Sequence, residues 1–504
     1  MPFKSLISSI KSHSSSSSST LDSFVSQKSD NSSFPQPSPA LPLSPALVPR
    51  YRKQKGVSLG SWFSLEKWIS PSPFRDAADH GSSDLDIARG KNAKANLEAH
   101  WDGWMKEEDW EWIVSRGFNS VRLPIAYFHL CGALPEVLQG TDFEPYHAVY
   151  EGAWQRIEQA VRTAESYGLG VLIDLHGAAG GQNGDAHCGV SSGKISLWSS
   201  PQNLASTSLA LRFLVSQFAP NPHVIGLELL NEPANNGGLQ KWYEHTLSQC
   251  RELCTPDFPL YISDAWDPNW YIQFVDKRDD FVVLDHHLYR CFTDGDKALS
   301  GDDHAQKLVR EFPSQFLQGS KKGNVTVGEW SGSLDNQSFR GRSGGEADAQ
   351  RRVFVKAQLE IFEKYTAGSW FWTYKKESGW DAGWDARNAS QAEILPSQKL
   401  RVNGAPSQEQ RQSATKEASE THINYWKDNG GSPHPELLAR GFESGWADSL
   451  MFLNYHSPSG PCELGFVQQW IQRRKSDLGL PGDSWEWDHG FKQGVEACKA
   501  AALG

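Results

Sequence analysis

Cysteine is scarce in this chain: seven residues among 504, with no CxxC spacing. That excludes a disulfide framework or a zinc ribbon as the organising device and favours a reducing compartment. Long apolar runs are missing too. No stretch of 18 apolar residues exists, so no helix is expected to span a membrane. Basic residues are not in excess either, with 49 Lys and Arg against 60 Asp and Glu and a net charge of -11. Such a balance argues against nucleic acid or an anionic membrane surface as the main partner. The cluster Leu6-Ile7-Ser8-Ser9-Ile10 is too short for a secretory h-region. A cytoplasmic location is therefore expected, which would leave the Asn-X-Ser/Thr sites at Asn31, Asn324, Asn336 and Asn388 unused. A mitochondrial presequence is the alternative, because the first 20 residues carry Lys4, Lys11, many Ser and no acid, although they lack Arg.

Tryptophan, by contrast, is abundant, with 21 residues. Most must serve a core, but indole faces are also good platforms for the C–H faces of sugars. Residues 1–52 hold a Ser run from Ser14 to Ser19 and a Pro-rich tract with little charge, and read as a disordered tail. From Lys55 onward eight short strand-like runs can be marked. They are Lys55–Gly60, Ser120–Ile125, Gly170–His176, Val224–Asn231, Pro259–Asp264, Phe281–Tyr289, Asn324–Trp330 and Ser369–Lys375. Helix-period segments lie between several of them, including Trp154–Tyr167 and Gln350–Tyr365. Strand and helix alternating eight times predicts a (β/α)8 TIM barrel, placed at residues 53–386. Residues 387–420 read as a linker or surface excursion. Residues 421–504 regain aromatics and are expected to form an extension packed on the barrel.

Two strands end in a glutamate. Val224–Leu230 is apolar except for Glu228 and leads into Asn231-Glu232-Pro233; Asn324–Trp330 carries Glu329 near its end. The 97 residues between Glu232 and Glu329 amount to about three βα units of roughly 30 residues. In a closed barrel the two strand ends could therefore face each other across the mouth. Two carboxylates converging on one pocket suit glycoside hydrolysis. Other strand ends add polar residues that a sugar pocket needs: Arg122, His176, Asn231, His287 and Tyr289, with Trp372 in the last strand. Asp285-His286-His287 could be taken for a metal cluster, but adjacent strand residues point to opposite faces. No metal and no cofactor are expected. The Gly-rich run from Gly177 to Gly184 lacks both the Lys-Ser/Thr of a P-loop and the dinucleotide spacing, and reads as a sugar-site loop.

Seven segments in order resemble glycoside hydrolase family 5, and within it the fungal exo-β-1,3-glucanase group. They are Gly56-Val-Ser-Leu-Gly-Ser-Trp62, Val121-Arg-Leu-Pro-Ile125, Asp174-Leu-His-Gly-Ala-Ala-Gly-Gly-Gln-Asn-Gly184, Asn231-Glu-Pro233, Asp285-His-His-Leu-Tyr289, Gly328-Glu-Trp330 and Trp370-Phe-Trp-Thr-Tyr-Lys375. The resemblance implies a retaining enzyme with Glu329 as nucleophile and Glu232 as acid/base. It implies that Arg122 holds Glu329 ionised, that Tyr289 hydrogen-bonds it, and that Asn231 donates to the sugar 2-hydroxyl. His176 and His287 would orient the carboxylates or bind the glycone, Glu66 would bind sugar hydroxyls, and Trp372 would form the floor of the pocket. Trp68 and Phe292 would sit at the rim. Two carboxylates so close would raise one pKa and so supply the acid.

The group usually has a Phe after Gln-Asn-Gly in the third loop, paired with the aromatic at Phe292 to grip the entering glucan. Here that position is Asp185. With the C-terminal extension and the missing secretory signal, the chain looks more like an intracellular branch of the group. The expected substrate is a β-glucan oligosaccharide or a related β-glucoside cleaved from its non-reducing end, most readily at β-1,3 bonds. Small glucosides or glycolipids, transglycosylation, and a non-catalytic sugar-binding barrel are the alternatives.

Overall fold

The computed structural model describes residues 45–316 and 323–504. Eight parallel strands close into a barrel in sequence order. They are β1 (Gln54–Ser58), β2 (Ser120–Ala126), β3 (Gly170–Gly177), β4 (Val224–Glu228), β5 (Leu260–Ser263), β6 (Val282–Leu288), β7 (Val325–Trp330) and β8 (Gly368–Phe371). β8 pairs with β1 through Gly56 and Trp370 and closes the ring. β-branched and apolar runs suit these strands because helices cover the outside while side chains fill the inside, so both faces are dry.

All eight predicted strands exist, five of them ending earlier than expected, β4 and β8 by the most. β4 stops at Glu228 rather than Asn231, although Leu229 and Asn231 still donate their amides to the carbonyls of Tyr261 and Leu175. β8 stops at Phe371 because Thr373 and Tyr374 turn away to bond Trp384 and Ser58. The two predicted helices are present as Ala153–Ser166, which buries Trp154, Ile157, Ala160, Val161 and Ala164, and Gly345–Tyr365, which buries Phe354, Ala357 and Ile361.

Two predicted boundaries need correction. The expected disordered tail falls outside the described residues up to residue 44, but Pro45–Leu47 and Val48–Tyr51 are helical and Leu47 to Arg52 are buried. Arg50 caps carbonyls of Ala219 (2.7 Å) and Val224 (3.1 Å), and Arg52 those of Asn119 and Gly168. The Pro-rich composition hid this short apolar and arginine-bearing segment, which enters the base of the barrel. The expected border between linker and extension at 420/421 lies inside one helix, Gln408–Asp428.

The extension closes the end of the barrel opposite the strand C-termini. Residues 463–465 run beside residues 51–53, with Lys53 N–H donating to Glu463 O at 2.7 Å and Gly465 N–H to Tyr51 O at 2.8 Å. Trp470 packs edge-on against Tyr51 at 4.8 Å. One apolar cluster joins Leu172, Ile225, Tyr261, Val283 and Trp370 of the strands to Phe466, Trp470 and Trp487 of the extension. Helices Pro435–Leu453 and Trp485–Leu503 cross closely because Gly441, Gly445, Gly490 and Gly494 leave no Cβ between their backbones. The predicted extension is thus part of the barrel's own core.

Candidate active site

Arg122 of β2 is fully buried and ties four strands together. Its Nη1 donates to Glu329 Oε1 at 2.7 Å; Nη2 reaches Glu228 Oε2 (2.8 Å), Asn231 Oδ1 (2.8 Å) and Asp174 Oδ2 (3.1 Å). A planar guanidinium suits this task because its fork addresses several oxygens in fixed directions. Asp174 in turn holds His176 Nδ1 at 2.7 Å, the two residues sharing a face of β3 by the two-residue strand period. His176 stacks parallel to Trp372, with ring centroids 5.7 Å apart.

On β6 the same alternation sends His286 outward to Asp264 (2.6 Å), while Asp285 and His287 face the barrel axis. A register shift between His286 and His287 places His287 opposite Glu329 on β7. Gly328 permits it, since any Cβ there would collide with the Asp285 carboxylate. His287 Nδ1 then lies 2.7 Å from Glu232 Oε1 and 3.5 Å from Glu329 Oε2, and its Nε2 lies 3.3 Å from Asp285 Oδ2. Tyr289 donates its hydroxyl to Glu329 Oε2 at 2.7 Å. The nearest carboxylate oxygens of Glu232 and Glu329 are within 4.8 Å of each other.

Burial pulls the His287 imidazole towards its neutral form, but Glu329, Asp285 and Glu232 around it outweigh that and raise its pKa well above 6.5. For Glu232, burial pushes the pKa up; the hydrogen bond and charge of His287, with His187 and His176 beyond, bring it down to about 2. The expected raised carboxyl is therefore not found at Glu232: an imidazole stands between the pair, and its hydrogen bond and charge lower the pKa of Glu232. Burial raises the pKa of Glu228 well above the carboxylate range against the pull of Arg122, and burial raises that of Glu66.

Glu66 Oε2 accepts from Trp68 Nε1 at 2.7 Å. Its Oε1, together with His176 Nε2 and Asn231 Nδ2, is buried with no hydrogen-bond partner among the described residues. An acceptor and two ring or amide nitrogens around one pocket match a polyhydroxyl ring. Every predicted site residue except Phe292 thus belongs to this pocket; Phe292 is exposed on the rim, against Tyr289 (5.8 Å) and Trp384 (6.2 Å). Glu228, Asp285 and His287 could present one ligand atom each to a cation, as could Glu232, His287 and Glu329. Both sets rely on His287, whose two nitrogens already face carboxylates as donors. Asp174, Glu228, Asp285, Gln182, Asn183 and His187 were missed by sequence reasoning. Glu228 could have been found as the lone charge in an apolar strand, and Asp174 and Asp285 as partners two residues before a site histidine.

The description Cellulase (glycosyl hydrolase family 5) matches residues 87–378, and Glucan 1,3-beta-glucosidase 3 C-terminal domain matches residues 407–502. The chain is 32% identical to Glucan 1,3-beta-glucosidase 3 of Schizosaccharomyces pombe, over 88% of this chain and 94% of the relative. It is also 32% identical to Glucan 1,3-beta-glucosidase of Blumeria graminis, over 71% of this chain and 89% of the relative. A crystal structure of rutinosidase from Aspergillus niger shares the barrel fold at a TM-score of 0.53 and 17% identity, covering 69% of this chain and 98% of that one. Since the first of these matches spans more than half of the sequence and contains the strands that carry Arg122, Glu232, His287 and Glu329, the chain belongs to glycosyl hydrolase family 5.

Proposed function

We propose that this enzyme is a retaining β-glucosidase that releases glucose from the non-reducing ends of β-1,3-glucans or related β-glucosides, with Glu329 as nucleophile and Glu232 as acid/base. The observation that carries the reading is the convergence of Glu232 and Glu329 on one mouth, an oxygen of each lying within 4.8 Å of the other, in keeping with the closely set carboxyls of a retaining site. Glu329 attacks the anomeric carbon while Glu232 passes a proton to the leaving oxygen, replenished from His287 along their 2.7 Å hydrogen bond. The glycosyl–Glu329 ester then forms, and the aglycone leaves as an alcohol. Water attacks the anomeric carbon in the second step, gives its proton to Glu232, and frees Glu329. Asn231 Nδ2 is available to the 2-hydroxyl and Trp372 to the sugar face.

Glu329→Gln is expected to remain folded and to lose turnover of an aryl β-glucoside. Wild-type turnover by the folded variant would remove the nucleophile assignment. Binding without turnover by the unaltered chain would favour the non-catalytic barrel.

A second reading concerns the aglycone. Trp68, Trp266, Phe292 and Trp380 are all exposed, and each follows the C-terminal end of a strand, β1, β5, β6 or β8, so they share the catalytic face. Trp266 is held at φ 65°, with its ring edge-on to His287 at 6.5 Å. Together with Asp185 in place of a clamp aromatic, this favours short oligosaccharides or small apolar glucosides over long glucan. A cytoplasmic location is proposed with it, supported by seven unpaired cysteines of which six are buried. Glycans on the exposed Asn336 in protein from the native host would refute that location; Asn324 is buried.

A further inference from the structure

The backbone of the acid/base glutamate is in an uncommon state, with φ 43° at Glu232, a conformation that side-chain-bearing residues keep only when their surroundings enforce it. The enforcement comes from the loop after β3. Gln182, fully buried, accepts from Ala178 N–H with Oε1 (3.0 Å) and donates from Nε2 to the carbonyls of His176 (2.7 Å) and Asn231 (3.0 Å). Its own carbonyl accepts from Ala234 N–H at 3.0 Å. Asn183, also buried, accepts with Oδ1 from Asp185 N–H (2.9 Å) and Cys188 Sγ (2.8 Å), and donates from Nδ2 to the carbonyl of Glu232 at 2.9 Å.

Those donors fix the orientation of the Asn183 amide, oxygen towards Asp185 and nitrogen towards Glu232. The same Asn183 nitrogen lies 3.0 Å from Nε2 of His187. At 3.9 Å from Glu232 Oε2, that Nε2 is too distant to share the catalytic proton.

We propose that Gln182 and Asn183 are positioning residues for the acid/base: two consecutive carboxamides grip the two consecutive carbonyls of Asn231 and Glu232 and hold the Glu232 carboxyl against His287. The inference rests on Glu232 being the acid/base. Neither side chain needs to touch the sugar. Releasing the Glu232 carbonyl lets its peptide relax towards negative φ, which swings the carboxyl away from His287 Nδ1 while Glu329, anchored by Arg122 and Tyr289, stays in place.

Acid catalysis matters most when the leaving group is poor, so the test is a leaving-group series of aryl β-glucosides from dinitrophenyl to phenyl. Gln182→Glu and Asn183→Asp keep shape and one acceptor oxygen but lose the donating NH2; Asn183→Ala serves as a second variant at that position. For all three, kcat/KM on the phenyl glucoside is expected to fall roughly tenfold to a hundredfold, with the dinitrophenyl substrate within about threefold of wild type. Added azide should speed turnover of the dinitrophenyl substrate by attacking the anomeric carbon of the glycosyl-enzyme, displacing Glu329 and giving β-glucosyl azide without needing a base. An equal fall on both substrates, or no fall on the phenyl glucoside in folded variants, overturns the proposal. Glu232→Ala run in the same series separates the two levels. If it lacks the steep leaving-group dependence, the acid/base assignment fails and the proposal with it; if it shows the dependence and the carboxamide variants do not, only the proposal fails.

Discussion

Replacing His287 by Gln tests where the catalytic proton is stored. In the wild type the three carboxylates around His287 raise its pKa well above 6.5, so the pair loses its proton only as pH rises through that raised pKa. The acid therefore stays loaded through neutral pH. Gln keeps a polar side chain but cannot hold the proton. Losing both the charge of His287 and its hydrogen bond, the latter alone contributing about 1.5–3 kcal/mol or about one to two pH units, lets burial raise the pKa of Glu232 from about 2 towards the ordinary carboxylate range. The acid is then lost as pH rises through the ordinary carboxylate range instead of above 6.5. On a phenyl or alkyl β-glucoside the basic limb of kcat/KM should therefore move to lower pH than in the wild type. A dinitrophenyl glucoside needs no acid and should lose less than tenfold. The assay is a pH profile of kcat/KM from about 4 to 9 on both substrates. A basic limb for the poor leaving group that superimposes on wild type would refute the reasoning.

Arg122→Met leaves Asp174, Glu228 and Glu329 without their shared buried cation and should cost about 3–5 kcal/mol, visible as a fall in Tm of about 3–5 °C by calorimetry together with lost turnover. Trp266→Ala should raise KM about two- to thirteenfold for glucosides with apolar aglycones and leave methyl β-glucoside unchanged, whereas Asp185→Phe should shift preference towards longer β-1,3-glucan; a substrate panel checks both. Removing residues 407–504 strips the cover from Trp370, Ile225 and Tyr261, so the shortened chain should aggregate rather than yield an active barrel, and a soluble active truncation would contradict the shared core.

The sequence carried the barrel because each strand is a short apolar or β-branched run bounded by Gly, Pro or polar residues, and the period changes from two to 3.6 between runs. Glu232, Glu329 and Tyr289 were legible because each stands at the C-terminal end of such a run, where parallel strands point their last side chains into one mouth, and Arg122 because it is the one charge inside the apolar run of β2. Less was legible wherever a side chain acts on a backbone far away. Gln182 and Asn183 read as loop residues, since nothing in a Gly-rich stretch announces that its amides will meet the carbonyls of residues 231 and 232. Leu47 to Arg52 read as part of a Pro-rich tail, because burial there depends on a strip from residue 463 to 465 contributed by the far end of the chain.

What the sequence determined by itself is local in origin: strand and helix periods, the order of the units, and hence which residues reach the catalytic face. Tertiary structure decided the protonation. His287 occupies the gap between two glutamates only because the register shift beside Gly328 turns it there, and a buried imidazole flanked by three carboxylates keeps its proton and takes Glu232 down with it. Charges interact through space within a few ångströms, so the acid of this site is a property of the closed barrel and of no single stretch of chain.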